Sequence, residues 1–351
     1  MKDHPDITVL RETLNTISGG KGHWTLSDKL FESRRARIYR ADNTATGQAI
    51  CIKKSKSETS PDRQLVTEYE NLKTLWQEQE TPDAPQPLVP QPYGLLPEPG
   101  ILLMEWVELP AARDTLKGTG PTSAVRGQVI RTAAHWLKRF HQITATRRQN
   151  FNGTKYIKRL DASVGHKPAI QKDIQTCRLF NRHYQTLSTL VPEVERLLSD
   201  YAGRHGDFAP RNLLSNGERT IGIDISTGYV DSVLEDICWF SNELLLRHNP
   251  FPVFRKNHLT APAATFFKHY YQDKFQTDSA PQDEEIWTLF LFIGLYEMLS
   301  RWLSVLNRIR KYQMGASNDK IHNILWCYYF LLKVKALAKL YNHHITLQKP
   351  K

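Results

Sequence analysis

Over the first third of the chain, apolar and polar residues follow patterns typical of short β-strands. Such segments cover residues 24–31, 37–41, 48–54 and 101–107, and the second and third are separated by a turn-prone stretch. Over residues 65–79, leucines and a tryptophan instead recur on one helical face, with glutamates and lysines elsewhere. The pattern predicts an antiparallel sheet with one main helix.

The spacing outside these segments divides the chain into three parts. Apolar residues three or four apart over residues 7–17, followed by Gly19 and Gly20, predict a short helix ahead of the sheet. Prolines predict a linking loop, because proline lacks the amide donor; they stand at positions 82, 85, 87, 90 and 92. Beyond residue 107 the spacing is helical. We expect an α+β protein with a helical extension (1–21), a sheet domain (22–107) and a mostly helical domain (108–351).

The composition is typical of a soluble globular protein. The 351 residues are 40% hydrophobic and 24% charged, and the four cysteines are too dispersed for a disulfide scaffold. The longest apolar run falls well short of the roughly 20 residues that span a bilayer. Charged residues and a proline occupy the first six positions, where a secretory signal needs an apolar segment. We therefore expect a cytoplasmic protein without a transmembrane helix.

The positive charge is concentrated in the second part of the chain. Residues 1–110 hold 13 Lys/Arg and 16 Asp/Glu, a balance of −3. Because the whole chain has a net charge of +11, the remaining residues carry +14. Residues 124–159 have nine Lys/Arg and no acid, and residues 297–351 have ten Lys/Arg against two acids. Two interpretations stay open: a solvated basic face, or an anionic partner such as phosphate or the inner face of the membrane, met peripherally.

The aromatic stretch at residues 326–330 has lysines near it, which is one feature of nucleic-acid platforms. A buried helix face explains the stretch equally simply, and no motif of a nucleic-acid-binding module accompanies it. We therefore expect these residues to be buried and nucleic acid not to be a partner.

Two carboxylates and one carboxamide flank a predicted β-hairpin in the second half of the chain. Apolar residues at 213–214 and 221–225 predict its two strands, and this hairpin is expected to bring Asn212 beside Asp224. Mg²⁺ prefers oxygen ligands and often takes one or two carboxylates together with substrate phosphates. We expect Asn212 and Asp224 to hold Mg²⁺, which leaves Asp207 as a base.

The run HGDxxxxN, with a second Asp 17 residues after the first, resembles the aminoglycoside phosphotransferase and choline-kinase-like small-molecule kinase family. That family has a bilobal protein-kinase-like fold, so the resemblance implies a nucleotide-binding N-lobe and a helical C-lobe. It further implies that Asp207 accepts the proton of the acceptor hydroxyl, and that Asn212 and Asp224 hold Mg²⁺ on the nucleotide phosphates. Asp236 matches a later acid of the family, which braces the catalytic loop.

The first third supplies residues that resemble the family's nucleotide site. The strand ending at Lys53 resembles the element whose lysine binds the α and β phosphates, with Lys54 on the opposite strand face as the alternative. The helix acid that pairs with this lysine is assigned to Glu68, with Glu70 as the alternative. The backbone groups of Glu105 and Val107 occupy the positions that bind the adenine edge.

The loop over residues 31–37 occupies the place of the family's glycine-rich phosphate flap but contains no glycine. Its side chains therefore hinder the close approach of its backbone to phosphate that a glycine-rich loop permits. Ser33 is assigned to nucleotide binding, and the arginines at positions 34, 35 and 37 could bind phosphate through their side chains instead.

Together these features imply a Mg²⁺-dependent enzyme that moves the γ-phosphoryl group of ATP or GTP to a hydroxyl of a small molecule. Aminoglycosides are polycationic, so the basic second half favours a neutral or anionic acceptor such as a sugar or an envelope glycan. The alternative is a pseudokinase or nucleotide-binding module without transfer. The missing flap glycines favour that alternative, and the presence of Lys53, Asp207, Asn212 and Asp224 opposes it.

Overall fold

The computed structural model describes most of the chain, and the described residues form two compact units. These are Met1–Pro110 with Leu214–Gly228, and Ala111–Leu213 with Tyr229–Lys351. As predicted, the architecture is α+β, with the main antiparallel sheet in the first unit and most helices in the second. The described residues are 12–14, 23–33, 35–57, 62–78, 86–98, 100–117, 123–165, 177–225, 229–247, 261–271, 284–314 and 320–348.

An antiparallel sheet and one long helix, α1, build the first unit. The sheet has the order β1-β3-β4-β6-β5, and the short β2 pairs with β3. Its register places Ile52 opposite Leu103 on the neighbouring strand. The elements are β1 (Trp24–Leu26), β2 (Phe31–Glu32), β3 (Ala36–Asn43), β4 (Ala49–Ser55), α1 (Arg63–Glu78), β5 (Pro92–Leu96) and β6 (Ile101–Glu105).

Two details of this sheet differ from the sequence pattern. The strand expected over residues 24–31 is divided into β1 and β2. The proline-rich linker contains an unexpected strand, β5, which opens at Pro92 and pairs with β6 across a register shift between Pro92 and Gly94. Proline is tolerated there because β5 is an edge strand and Pro92 is its first residue, so the missing donor breaks no central ladder.

Alternating side chains of the central strands form the core of this unit. Ala41, Ile50, Ile52 and Leu103 are buried in one cluster, which also includes Leu14. The described part of the expected N-terminal helix is Glu12–Leu14, which is helical. The remainder of residues 7–17 lies outside the described residues, as do Arg34 and the prolines at positions 82 and 85.

The second unit contains eight of the described helices. They are α2 (Ala112–Lys117), α3 (Ser123–Ile143), α4 (Gly153–Gly165), α5 (Arg178–Val194), α6 (Leu234–Arg247), α7 (Ala261–Tyr270), α8 (Glu284–Met314) and α9 (Lys320–Gln348). A small sheet in the order β11-β8-β7 joins them, with β7 (Ala145–Asn150), β8 (Leu198–Gly203) and β11 (Val230–Ser232). The hydrophobic pattern did not predict this sheet, because β7 is largely exposed and has little apolar character.

Helix α8 lies at the centre of the second unit and packs along α9. Gly294 permits this packing, because a Cβ atom there would overlap the ring of Tyr341. By length and composition, the described stretch Glu284–Gln313 could cross a membrane, but 72% of its apolar window is buried inside the protein. The helix is longer than its apolar run suggested, and its burial is that of a core helix.

Backbone hydrogen bonds group the segment Leu214–Gly228 with the first unit. This segment includes most of β9 (Leu213–Ser215) and all of β10 (Thr220–Gly222), which pair as predicted. The N–H of Ser215 donates to the Pro110 carbonyl, and the N–H of Gly222 donates to the Leu88 carbonyl, each at 2.8 Å. A single division of the chain near residue 107 would leave this segment with the helical part. The division into extension, N-lobe and C-lobe stays a prediction.

Candidate functional site

A buried ion cluster in the first unit contains Lys53, Glu68 and Asp224; we call it the lysine cluster. The Nζ of Lys53 donates to both carboxylate oxygens of Glu68, at 2.8 and 2.6 Å, and to Oδ1 of Asp224 at 2.7 Å. Glu68 is only 2% exposed and Lys53 14%. Three segments that are distant in the sequence therefore supply one set of paired charges.

The position of Glu68 on α1 explains why it, rather than Glu70, contacts Lys53. The buried face of α1 consists of Leu65, Glu68, Leu72 and Leu75, at helical spacing. Glu70 lies on the exposed side of the helix. A glutamate on an apolar helix face is costly unless it is paired, and Lys53 provides the pairing.

The electrostatics of the cluster keep Lys53 positively charged. Burial alone would lower the pKa of Lys53, but the charges of Glu68 and Asp224 outweigh that effect and raise it to about 12. A fixed ammonium group of this kind suits the binding of an anionic ligand such as phosphate. Lys54, the next residue of β4, points to the opposite strand face.

Asp224 follows β10 and adopts an unusual backbone conformation. Its φ of 65° lies in the left-handed region, which aspartate and asparagine tolerate better than most residues. The side-chain amide of Asn71 donates to the carbonyl of Ile225 at 2.9 Å and so anchors the neighbouring residue. The Asp224 carboxylate is 46% exposed while one of its oxygens contacts Lys53, so it remains accessible to a ligand.

In the second unit, the loop Arg204–Asn212 presents Asp207; we call it the Asp207 loop. Arg211 donates to both carboxylate oxygens of Asp207, at 2.5 and 2.7 Å. The indole Nε1 of Trp239 donates to Oδ1 at 3.1 Å, and the amide of Asn212 donates to Oδ2 at 3.0 Å. Asp207 is nevertheless 37% exposed, so its carboxylate is oriented and still accessible.

Asp236 braces the Asp207 loop from the start of α6, as the sequence predicted. Its carboxylate accepts the backbone N–H groups of His205 and Gly206, at 2.8 and 3.1 Å. Burial would raise the pKa of Asp236, but Arg204 and His141 more than offset this and hold it well below its usual range. Gly206 has a φ of 80°, a conformation that glycine adopts without strain. The braced loop therefore holds Asp207 in a fixed backbone position.

Further charges behind Asp207 balance one another, because the guanidinium groups of Arg211 and Arg301 contact the carboxylates of Asp207 and Glu243. Arg211 also contacts Glu243 at 3.4 Å, and Arg301 donates to the same carboxylate at 2.6 Å. The guanidinium of Arg301 lies over the Trp239 ring, 4.1 Å from its centroid. Arg211 is 37% exposed, so it is the accessible cation of this group.

The donor chemistry of the residues assigned to Mg²⁺ fits a hard cation. The Asn212 amide nitrogen donates to the Asp207 carbonyl at 2.9 Å, which leaves the amide oxygen to act as a ligand. Asp224 offers a carboxylate, and Mg²⁺ usually combines so few protein ligands with phosphate oxygens and water. Within the described ranges, no group of three or more His, Cys, Asp or Glu side chains could hold a metal. Asn212 and Asp224 belong to different compact units, and their use of one metal ion stays a prediction.

The remaining predicted residues lie in the first unit. The Ser33 hydroxyl accepts the N–H groups of Arg35 and Ala36, at 3.1 and 2.9 Å, and so closes the turn between β2 and β3. Glu105 ends β6, and its N–H donates to the Gln91 carbonyl at 2.8 Å. The Val107 carbonyl accepts the N–H of Leu109 at 2.9 Å. The assignment of all three to nucleotide stays a prediction.

Sequence reasoning missed three residues that position the predicted ones: Arg211, Trp239 and Asn71. Arg211 stands four residues after Asp207, within the motif itself, so its position was a usable signal. Trp239 lies three residues after Asp236 and therefore near it on the surface of α6. For Asn71 there was no signal, because its partner Ile225 is 154 residues away in the chain.

Comparisons with known proteins give matches to one family model and to solved structures. A family model described as "Phosphotransferase enzyme family" (APH) matches residues 30–269. Among curated protein sequences, none matches this chain.

Solved structures of kinases match nearly the whole chain. A choline/ethanolamine kinase family protein from Mesorhizobium loti has a TM-score of 0.55 at 13% identity, covering 95% of this chain and 99% of the other. For Plasmodium vivax ethanolamine kinase the TM-score is 0.59 at 12% identity, with 95% and 89% covered. An amicoumacin kinase solved in complex with AMP-PNP, Ca²⁺ and Ami has a TM-score of 0.56 at 14% identity, with 95% and 93% covered. At such low identity these matches establish a shared fold.

Proposed function

The chain belongs to the phosphotransferase enzyme family, and from this premise we propose that it transfers the γ-phosphoryl group of ATP to a hydroxyl of a sugar or glycan. Membership of the family makes it an ATP-dependent kinase that acts on a small molecule. The use of Mg²⁺, the class of acceptor and the role of each residue are parts of the proposal. GTP is an alternative phosphoryl donor.

The presentation of Asp207 is the observation that carries the proposal. Its carboxylate accepts hydrogen bonds from Arg211, Trp239 and Asn212 while remaining partly exposed, on a loop whose backbone is tied to Asp236. A base must be oriented toward its substrate and accessible to it, and both conditions are met.

The proposed reaction exchanges one phosphorus–oxygen bond for another and transfers one proton. The acceptor hydroxyl oxygen bonds to the γ-phosphorus of ATP, the bond from that phosphorus to the β–γ bridging oxygen breaks, and ADP leaves. Asp207 takes the hydroxyl proton, while Lys53, oriented by Glu68, binds the α and β phosphates. Asp224 and Asn212 serve as metal ligands. The divalent metal ion supplies positive charge to the phosphate oxygens when it is bound.

The charges around Asp207 support a neutral or anionic acceptor. Arg211 contacts the carboxylate and is itself partly exposed, and Arg301 lies behind it on Trp239. The partly exposed guanidinium of Arg211 offers a contact to an anionic group of the acceptor, and the net positive charge of the second part of the chain disfavours a polycation. A phosphate or carboxylate group on the acceptor could accept hydrogen bonds from the Arg211 guanidinium in place of Asp207.

A transfer assay with ATP labelled in the γ position tests the proposal. We expect label to pass to a neutral sugar, a phosphorylated sugar or a glycan, and not to choline or an aminoglycoside. The Arg211→Gln variant should raise KM for an anionic acceptor more than for a neutral one, because only the former gains from the guanidinium charge. Transfer to a polycation alone would contradict the proposed acceptor class.

A pseudokinase is the second candidate, and the loop between β2 and β3 is the observation that favours it. This loop has no glycine, and the Ser33 hydroxyl is engaged in its own turn. Slow ATP hydrolysis without acceptor distinguishes the two candidates. Hydrolysis that Asp207→Asn abolishes would indicate an enzyme, whereas equal nucleotide binding without turnover in both proteins would indicate a binding module.

A further inference from the structure

An exposed apolar stripe runs along the first half of α9. Its five side chains are between 40% and 63% exposed, where the sequence had predicted a buried helix face, and they are Leu325, Trp326, Tyr328, Tyr329 and Leu332. We call them the aromatic stripe. Their spacing of three, four and seven residues places them on one side of the helix. The buried side of the same helix, which includes Cys327 and Leu331, packs into the second unit.

Basic residues of α8 lie at the same level as this stripe. Helices α8 and α9 run antiparallel: Lys335 lies over the ring of Trp302 at 4.9 Å, and Gly294 faces Tyr341. The pairing of Gly294 with Tyr341 and of Trp302 with Lys335 continues along the two helices and brings Arg308 level with the first half of α9. Arg308 and Lys311 are both exposed. They therefore lie near the end of α8 that is adjacent to the first half of α9, where the aromatic stripe is located.

Negative charge is missing from this part of the sequence. Residues 298–314 and 320–348 contain no Asp or Glu. Over residues 297–351, ten Lys/Arg stand against Glu297 and Asp319, a balance of +8. The surface that surrounds the aromatic stripe thus favours a partner with negative charge and an apolar layer beneath it.

We propose that the aromatic stripe, together with Arg308 and Lys311, docks the protein on an anionic lipid surface. Tryptophan and tyrosine favour the boundary between headgroups and acyl chains, because each combines an apolar ring with a polar group. Leucines at both ends of the stripe would enter the acyl region, and the basic side chains would contact anionic headgroups. A nucleic acid fits less well, because bases stack on aromatic rings but gain little from Leu325 and Leu332.

The docking proposal is independent of the proposed function, because none of its residues lies in the lysine cluster or the Asp207 loop. Co-sedimentation of the full chain with vesicles tests it. We expect binding to vesicles of phosphatidylcholine mixed with phosphatidylglycerol, weaker binding at high salt, and little binding to phosphatidylcholine alone. Equal recovery from both kinds of vesicle would overturn the proposal.

Matched variants identify the surface. Arg308→Gln with Lys311→Gln should lower the partition coefficient by roughly 25-fold, since each basic residue near the membrane is worth about fivefold. Lys158→Gln, at an exposed lysine of α4, is the control for charge and should bind as the wild type does. Trp326→Ser should lower binding by about tenfold. Leu198→Ser, at an exposed leucine of β8, is the control for loss of an apolar side chain.

Three other results would overturn the proposal. Full vesicle binding by the Trp326→Ser variant would place docking elsewhere. Binding of an oligonucleotide, with no binding to anionic vesicles, would indicate a nucleic-acid surface. A dimer in solution that Trp326→Ser converts to monomers, again without vesicle binding, would show that a second copy of the chain covers the stripe. Unchanged thermal unfolding and unchanged ATP hydrolysis by each variant would show that only the surface was altered.

Discussion

The lysine cluster and the Asp207 loop solve the problem of holding a carboxylate in two different ways. In the lysine cluster, Glu68 is almost fully buried and its charge is matched by a single lysine. In the Asp207 loop, the carboxylate is 37% exposed and is held by a guanidinium, an indole and an amide. The first is assembled from distant segments of the chain, and the second mostly from neighbouring residues.

This difference matches the two tasks we propose. A buried ion pair cannot easily rearrange, because separating its charges in a medium of low polarity costs several kcal/mol. It therefore suits the constant part of the reaction, the nucleotide phosphates. An exposed aspartate with several hydrogen-bond donors can exchange one of them for an incoming hydroxyl. The Asp207 loop therefore suits the variable part of the reaction, the acceptor.

Replacing Asp207 should give the largest effect on catalysis. Asp207→Asn keeps the size of the side chain but removes its basicity, so turnover should fall by at least about a hundredfold, as for other general bases. Steady-state kinetics with the best acceptor measures this. Asp114→Asn, at an exposed aspartate of α2, is the control and should retain full turnover. Undiminished turnover in Asp207→Asn would break the assignment of the loop to catalysis.

Breaking the lysine cluster should affect both activity and stability. Lys53→Met leaves Glu68 buried without its partner, so the free energy of unfolding should fall by about 3 kcal/mol. Adding Glu68→Gln removes the unpaired charge and should restore much of that stability in urea titrations. The double variant should still show kcat/KM for ATP reduced by about a hundredfold, because the phosphate-binding charge is gone. Lys54→Met is the matched control, and an equal loss there would contradict the choice of Lys53.

In the proposed site, Asp224 links the lysine cluster to the metal ion. Asp224→Asn tolerates the left-handed backbone but is a weaker metal ligand, so the divalent-ion concentration for half activity should rise by about tenfold or more. Asp224→Ala should show the same metal defect and lose about 1 kcal/mol of stability in addition, because alanine is strained at a φ of 65°. An unchanged metal requirement in both variants would show that the ion is held elsewhere.

Glu297 is a third acid for this comparison: it is buried, and an amide group donates to its carboxylate. Asn242 donates to it at 2.6 Å, and burial raises its pKa to about 7 from an ordinary value of 4.5. The folded protein therefore binds this proton more tightly than the unfolded chain does. Its contribution to stability is complete below pH 4.5 and is lost as pH rises toward 7.

The Glu297→Gln variant tests this pH dependence. It should unfold like the wild type at about pH 4.5 and be more stable by about 3 kcal/mol at about pH 8, where the wild type buries an ionised carboxylate. Chemical denaturation at several pH values measures the difference. Parallel stability curves for the two proteins would show that Glu297 does not titrate in this range.

Local patterns in the sequence predicted the sheet and the main helix well. Every second residue in the central parts of β3, β4 and β6 belongs to the core cluster of the first unit, and the four buried positions of α1 reflect one helical face. The same logic failed for β7, whose exposed residues carry no alternation, and for the aromatic stripe, which is apolar yet exposed. Burial depends on which surface is available to cover a face, and a local pattern does not contain that information.

The candidate site was predictable where its residues belong to a motif. Asp207, Asn212 and Asp224 came from the HGDxxxxN run and its spacing, and the choice of Glu68 over Glu70 matches the contact with Lys53. The attachment of Leu214–Gly228 to the first unit was not predictable. It depends on bonds such as that between Gly222 and Leu88, which join residues far apart in the chain.

Equilibrium binding of ATP, measured by titration calorimetry without acceptor, tests most directly the claim that the two regions have separate tasks. We expect Asp207→Asn to bind within a few-fold of the wild type, because Asp207 serves the acceptor. The Lys53→Met/Glu68→Gln variant, in which we expect the fold to be retained, should bind at least about tenfold more weakly, because its phosphate-binding charge is absent. Loss of ATP affinity in Asp207→Asn equal to that in the lysine variant would contradict the separation of tasks.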